Sequence, residues 1–310
     1  MNSTWARTLA LLGAIGVLLA LLAWRAPSFF ELANVLSMVV GAAPLLVAAI
    51  GATLVIVTRQ IDVSIGSQFS LCAVGAGMMV TAGVPIPLAI FAAIVLGAVL
   101  GLTNGLLVGV VKLPAIVATL GTMVIWRELL RWWREGEFVH NLPAGFQWFG
   151  LSQTSGQIAV VAAALAFWVA IALAARHTQP GRDVFLVGSN PEAARLLGLR
   201  PTRVIVGVFV LSGVTAALAA VLASVRFGDI DPGAGAGLEL RAIAAAVVGG
   251  AAVSGGRASM LGMLLGVVLL SIIGPALVFL GVQPQWERVI QGLIILIAVG
   301  ADVSVRRSRA

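Results

Sequence analysis

The 310-residue chain is 60% hydrophobic and only 10% charged, with a formal net charge of +7 at pH 7. A soluble domain holds roughly 25% charged residues, so this composition excludes a soluble domain of any size. The single cysteine, Cys72, has no partner for a disulfide or a metal site, and His140 and His177 lie in separate polar loops, so we expect no metal ligands and no catalytic residues.

Apolar runs recur along the whole chain, and a bilayer core about 30 Å thick needs about 20 apolar residues per helix. Ten segments can be marked, at residues 8–24, 34–58, 65–82, 86–111, 113–133, 157–175, 203–225, 239–255, 258–281 and 286–301. The pattern predicts an all-α polytopic membrane protein with about ten transmembrane helices, forming one transmembrane permease domain over residues 1–310. We interpret the first segment as a permanent helix, because Trp24 to Pro27 is a poor signal-peptide cleavage site.

The stretch TRQIDVSIGS, Thr58 to Ser67, places polar groups between two uncharged apolar runs. It is either a loop whose Arg59 follows the positive-inside bias or a broken helix at membrane depth that lines a solute pathway. Uncharged polar side chains inside nearby spans add hydrogen-bonding groups, although each alone is also explained by a contact between helices. The predicted pathway residues are Asp62, Ser64, Ser67, Gln68, Asn104, Thr119 and Thr122.

Glycines spaced four residues apart indicate close helix packing, because small side chains let helix backbones approach in lipid. The fourth segment contains Gly97, Gly101 and Gly105, and the ninth contains Gly262 and Gly266. We expect these positions to serve the scaffold.

Two connections are long enough to carry a function of their own. The external loop 134–156 is flanked and interrupted by tryptophans, which fits either a membrane-surface loop in the interfacial aromatic belt or a docking surface for an external partner.

The eighth segment begins with Glu239 and Arg241, for which a local ion pair is the default expectation and a gate or a binding-protein contact is the alternative.

The loop 176–203 contains a short amphipathic helix with clear end signals. Ser189 or Asn190 is placed to cap it, Pro191 fits its first position, and Gly198 is placed to end it. About seven residues are too few for a stable isolated helix, so something must hold it. It either packs on its own bundle or is presented to a cytoplasmic partner.

The basic residues give the orientation of the chain. If the connections alternate between two sides, 12 of the 19 Lys and Arg residues fall on the side of the N-terminus. The positive-inside rule then predicts that this side, with both termini and the loop 176–203, is cytoplasmic. The arginines are scattered singly, so the basic balance does not indicate a nucleic-acid partner.

Four stretches, in this order along residues 34–302, resemble the permease subunits of bacterial ABC importers for ribose, xylose, rhamnose and related sugars. They are TLVIVTRQIDVSIGS, LPAIVATLGTMVIWRELL, GRDVFLVGSNPEAARLLGL and GAGLELRAIAAAVVGGAAVSGGRASMLGMLLG. Within that group, IDVSIGS, LPAIVATLGT and the tryptophan-rich stretch ending in NLPAGF most resemble the autoinducer-2 import permeases.

The resemblance implies a lipid-embedded, multi-pass permease subunit in the bacterial inner membrane, importing a sugar or sugar-like solute of the autoinducer-2 or rhamnose type. It implies a second permease subunit, identical or paralogous, a cytoplasmic ABC ATPase, and a periplasmic or extracellular sugar-binding protein. It also implies an ATPase-coupling helix made of Asn190, Pro191, Glu192, Ala193, Ala194, Arg195, Leu196, Leu197 and Gly198.

The chain itself has no nucleotide-binding loop, because Lys112 is its only lysine and no G-x-x-x-x-G-K-[ST] occurs. We therefore expect no cofactor on this chain and no enzymatic activity, with ATP and Mg²⁺ bound by the partner ATPase. The alternative function is a stand-alone secondary sugar transporter, which would need a buried ion-coupling site, for which Asp62 is the one plausible candidate.

Overall fold

The computed structural model describes residues 3–283 and 285–307, and its secondary structure is helical almost throughout. Within these residues the α-helices are α1 (Ser3–Arg25), α2 (Leu32–Val57), α3 (Ile65–Thr81), α4 (Ile86–Gly109), α5 (Ala115–Arg134), α6 (Gln153–His177), α7 (Gln179–Ser189), α8 (Pro191–Leu196), α9 (Pro201–Ser224), α10 (Leu238–Val248), α11 (Met260–Phe279) and α12 (Trp286–Arg307). The predicted all-α polytopic architecture is confirmed.

Six of the described helices are long and apolar enough to cross a membrane by length and composition, namely α1 from Thr8, α2, α4, α6, α9 and α11. α3 is apolar but has 17 residues. The count of about ten spans and the cytoplasmic side of the termini stay predictions, and residues 1–2 and 308–310 lie outside the described residues.

Two predicted segments differ from the structure. The predicted span 239–255 is too long, because α10 ends at Val248. The 11 residues of α10 rise only about 16 Å, which is about half the thickness of a bilayer core. The loop 176–203 contains α7 in addition to the predicted short helix. Thr178 caps α7 by accepting a hydrogen bond from the Gly181 amide, and Pro180 sits in its first turn.

α9 is the central helix of the bundle and packs against α2, α3 and α4. The predicted glycine spacing is confirmed as a packing device: a Cβ on Gly101 would overlap the carbonyl oxygen of Phe209 in α9, and one on Gly97 would overlap that of Gly213. The second glycine series serves the contact between α11 and α10, where Gly266 faces the carbonyl of Ala245. Backbone-to-backbone contact at these points requires the absence of a side chain.

The segment 226–237, between α9 and α10, enters the bundle alongside α3. Ile230 packs against Gly77 near the end of α3, whereas Gly235 lies against Gly66 in its first turn and donates its amide to Ser70 Oγ at 3.1 Å. The chain thus descends along α3 before α10 begins. α10 therefore starts within the bundle and covers the half nearer the side predicted to be cytoplasmic.

The loop 134–156 is fastened to this descending segment at its outer end. Val139 and Ile230 form an isolated antiparallel bridge, and His140 Nδ1 lies 2.9 Å from Asp229 Oδ1. Trp148 donates its amide to the carbonyl of Val225 at 2.8 Å. The two connections form one external layer over the ends of α3 and α9.

We expect Gly101→Ala to lower the free energy of unfolding by about 1–3 kcal/mol, because the new methyl group overpacks the contact between α4 and α9. The measurement is a denaturant titration of the purified protein in mixed micelles. Gly207→Ala is the matched control, since Gly207 belongs to α9 and has open space where its Cβ would lie. Equal stability of the two variants would contradict the packing argument.

Candidate functional site

Asp62 lies at the centre of a polar cluster in the connection between α2 and α3. Its Oδ1 accepts hydrogen bonds from the Ser64 amide at 2.9 Å and from Ser64 Oγ at 2.6 Å. Its Oδ2 accepts from Ser212 Oγ of α9 at 3.0 Å and from Gln68 Nε2 at 3.2 Å. Four donors converge on one carboxyl group, which is 1% exposed.

The cluster extends to α4 and α5 through amide and hydroxyl side chains. Asn104 donates to Ser64 Oγ at 2.7 Å and accepts from Thr122 Oγ1 at 2.8 Å. Thr119 binds the connection itself, because its hydroxyl accepts from the Val63 amide and lies 3.2 Å from the Ile61 carbonyl. The connection is thereby bonded to three helices.

The structure brings all seven predicted pathway residues together, and all seven are buried. Ser67, the remaining member, donates its hydroxyl to the Ser64 carbonyl at 2.8 Å. Ser212 lies 11 residues into α9, about 16 Å along that helix, so the cluster is at membrane depth. The stretch joins two separate helices and folds back into the bundle, so it is not an interruption of one helix. Contact with a solute stays a prediction.

The ends of three elements meet on the side predicted to be cytoplasmic, at a junction formed by Val57, Arg59, Gly188, Ser189 and Gly256. Arg59 donates from Nε to the Gly188 carbonyl at 2.6 Å and from its terminal nitrogen to the Ser189 carbonyl. The Gly256 amide donates to the Val57 carbonyl at 2.8 Å. A Cβ on Gly188 would overlap that same carbonyl oxygen, so α7 and α2 touch through their backbones.

The predicted short helix begins one residue beyond this junction. Asn190 is its cap, with Oδ1 accepting from the amides of Glu192 at 3.0 Å and Ala193 at 3.1 Å. α8 ends at Leu196, and Gly198 adopts a φ of 81°. The prediction of its cap and end is confirmed.

Two leucines at the end of α8 point away from the protein. Ala194 is buried against the bundle, whereas Leu196 is 90% exposed and Leu197 is 71% exposed. Two leucines at this exposure leave apolar surface that the described chain does not cover. The helix is therefore held by its cap and junction, and it presents its leucines outward.

The expected local pair of Glu239 with Arg241 is wrong. Glu239 is buried at the start of α10 and lies 3.5 Å from the Arg127 guanidinium of α5. Arg241 instead lines a cavity of about 420 Å³ between α2, α10, α11 and α12, together with Glu287. Arg127 and Glu287 were not among the predicted site residues, and their one signal in the sequence is a charge inside or beside an apolar helix.

Comparison with known proteins supplies the family. The family model for the permease component of the branched-chain amino acid transport system matches residues 34–299. The autoinducer 2 import system permease protein LsrC of Salmonella paratyphi B is 40% identical over 258 residues, which cover 81% of this chain and 73% of that protein. LsrC of Escherichia coli (strain K12 / DH10B) is 38% identical over 278 residues, covering 87% and 80% respectively.

No solved structure was found to match the chain. The family match spans most of the residues that carry the apolar helices, and it includes the polar cluster and α8. The protein is a multi-pass membrane protein of a transport system. The chain belongs to the family of permease components of the branched-chain amino acid transport system type.

Proposed function

We propose that this chain is the membrane permease subunit of an ATP-driven ABC importer for autoinducer-2 or a closely related sugar-like solute, with rhamnose as the related candidate. The observation that carries the proposal is the 40% identity to an autoinducer 2 import system permease over 81% of the chain. The solute crosses the membrane unchanged, so no covalent chemistry occurs in this subunit.

The proposal includes three kinds of partner. A second permease subunit, identical or paralogous, forms the other half of the pathway, and a periplasmic or extracellular binding protein delivers the solute. A separate ABC ATPase binds ATP and Mg²⁺, in keeping with the absence of a phosphate-binding loop from this sequence. The external layer formed by the loop 134–156 and the outer part of the segment 226–237 is the surface on which the binding protein docks.

α8 is the proposed ATPase-coupling helix. Its exposed Leu196 and Leu197 suit insertion into an apolar groove of the ATPase, and Glu192 and Arg195 add charged groups beside them. Closure of the ATPases on ATP moves α8. Because Arg59 bonds to both residues that precede the Asn190 cap, the movement passes directly to the end of α2.

The buried cluster around Asp62 receives that movement and is the proposed inner wall of the pathway. Its hydrogen bonds hold the connection between α2 and α3 against α4, α5 and α9, so a shift of α2 changes the position of all these helices together. Gln68 Oε1 is the one acceptor of the cluster that is buried without a partner among the described residues, and it is the group that a solute hydroxyl would meet if the cluster opens.

Transport by the complete importer, reconstituted in proteoliposomes with its ATPase and binding protein, tests the function. We expect ATP-dependent uptake of labelled autoinducer-2 that exceeds uptake of labelled rhamnose. Preferential uptake of rhamnose would reassign the solute. Uptake that persists without the ATPase subunit would contradict the proposal and favour a secondary transporter.

The coupling assignment is tested by Leu196→Ser combined with Leu197→Ser. We expect the affinity for the ATPase to fall at least about tenfold, because full burial of a leucine side chain contributes about 1.5–3 kcal/mol and about 1.4 kcal/mol corresponds to a tenfold change. Co-purification and titration of the ATPase subunit measure the loss. The control Leu151→Ser removes a leucine that is 50% exposed on the external side, and it leaves ATPase binding unchanged.

Arg59→Gln, measured by ATPase titration and by solute uptake, separates ATPase binding from the transfer of movement from α8 to α2. We expect the ATPase to bind normally while solute uptake per ATP hydrolysed falls, because the link from α8 to α2 is weakened. Loss of ATPase binding with Leu151→Ser, or normal uptake with both α8 leucines removed, would contradict the assignment.

Asp62→Asn tests whether the cluster is a wall or a solute-binding group. An amide replaces one acceptor oxygen by a donor that faces other donors, so we expect the free energy of unfolding to fall by about 1–3 kcal/mol. The exposed Asp231, substituted in Asp231→Asn, is the control, with an expected change within about 0.5 kcal/mol. Unchanged stability with a raised KM for the solute would instead assign direct contact.

A further inference from the structure

A cavity of about 420 Å³ lies in the half of the bundle that faces the predicted external side. Its walls are the first half of α2, the first turn of α10, the second half of α11 and the first turn of α12. α2 and α12 begin on that side, and α11 ends there. The volume falls in the range of small-molecule sites, which is roughly 300–1,000 Å³.

Charged groups of both signs line this cavity, although it is built from apolar helices. Arg241 is half-buried, and no residue that the structure describes forms a hydrogen bond or ion pair with its guanidinium group. Guanidinium nitrogens at membrane depth normally face a partner or a polar pathway. The five donors of Arg241 are therefore available to a ligand.

The acidic group of the cavity is held in position by its neighbours. Glu287 is half-buried and its Oε1 accepts a hydrogen bond from Gln291 Nε2 at 2.8 Å. A Cβ on Gly274 would lie only 2.8 Å from Glu287 Oε2, so the glycine leaves the space that the carboxyl group occupies. Glu287 Oε2 forms no hydrogen bond with a residue that the structure describes, so it remains available as an acceptor.

Uncharged hydrogen-bonding groups and an aromatic wall complete the lining. Ser37 and Asn34 contribute from α2, and Ser271 contributes from α11. Phe29 and Phe279 pack edge to face with ring centroids 5.5 Å apart and form the apolar side. Donors, acceptors and a ring surface are thus offered within one small volume.

We propose that this cavity is a solute-binding site for a small neutral polyol, with Arg241 and Glu287 as the groups that bind its hydroxyls and Phe29 and Phe279 as the wall against its C–H face. This site is distinct from the buried cluster around Asp62 and rests on the proposed transport function. One positive and one negative group offset each other, so the site favours a neutral solute over an anion or a cation. The site receives the solute before the pathway opens inward.

Cysteine protection tests the site in spheroplasts that contain the complete importer. Ser37→Cys or Ser271→Cys is placed in a Cys72→Ala background, which removes the single native cysteine. A membrane-impermeant methanethiosulfonate reagent then labels the new cysteine from outside. We expect millimolar autoinducer-2 or D-ribose to slow the labelling of both cysteines and L-glutamate to leave it unchanged.

Matched variants connect the protection to the charged groups. Arg241→Met and Glu287→Gln are expected to remove the protection and to raise KM for uptake about tenfold, as the loss of a charge-assisted hydrogen bond requires. Arg288→Met is the control, because Arg288 is exposed beside Glu287 and does not line the cavity. Gln153→Cys, at the exposed first residue of α6 on the predicted external side, reports correct insertion of every variant through its unchanged labelling.

The outcomes separate this site from the proposed function. Autoinducer-2 uptake without protection of either cysteine overturns the site and leaves the function standing. Protection by D-ribose without autoinducer-2 uptake supports the site and overturns the proposed solute. Protection that persists in Arg241→Met at normal insertion overturns the role of Arg241 and Glu287.

Discussion

Backbone that is not helical inside a bilayer must find its hydrogen-bond partners within the protein, because no water is there to supply them. Two parts of this chain meet that requirement with side chains. Thr119 and Asp62 satisfy the connection between α2 and α3, and Ser70 satisfies the segment that descends to α10. These contacts join α3 and α9 to the non-helical parts, and α10 continues directly from the descending segment.

The contacts also divide the molecule by depth. On the side predicted to be cytoplasmic, backbone contact at Gly188 and the bonds of Arg59 join the exposed α8 to the end of α2. At mid-depth the cluster around Asp62 is closed and fully packed. In the external half the short α10 leaves room for a polar cavity. The proposed ATPase contact, the backbone link and the proposed solute cavity thus lie one after another from the predicted cytoplasmic side to the predicted external side.

Much of this organisation was predictable because polar residues are conspicuous in an apolar sequence. The predicted pathway residues are polar groups within or between apolar runs, and burial of those same groups forces them to pair with one another. The cap of α8 followed from local chemistry at Asn190. The short length of α10 was not recognised, since LRAIAAAVVGGAAV reads as one apolar run, although Gly249 and Gly250 mark its true end. The sequence could not predict the partner of Glu239, because Arg127 belongs to a helix that is distant along the chain.

The contact between Gly188 and Val57 has a mechanical consequence. Side chains at a joint rotate and absorb small displacements, but here the main chain of one helix rests on the main chain of the next. A displacement of α8 is therefore passed through the end of α7 to α2 with little loss. For the proposed coupling role of α8, Gly188 therefore matters because any larger residue would separate the two backbones.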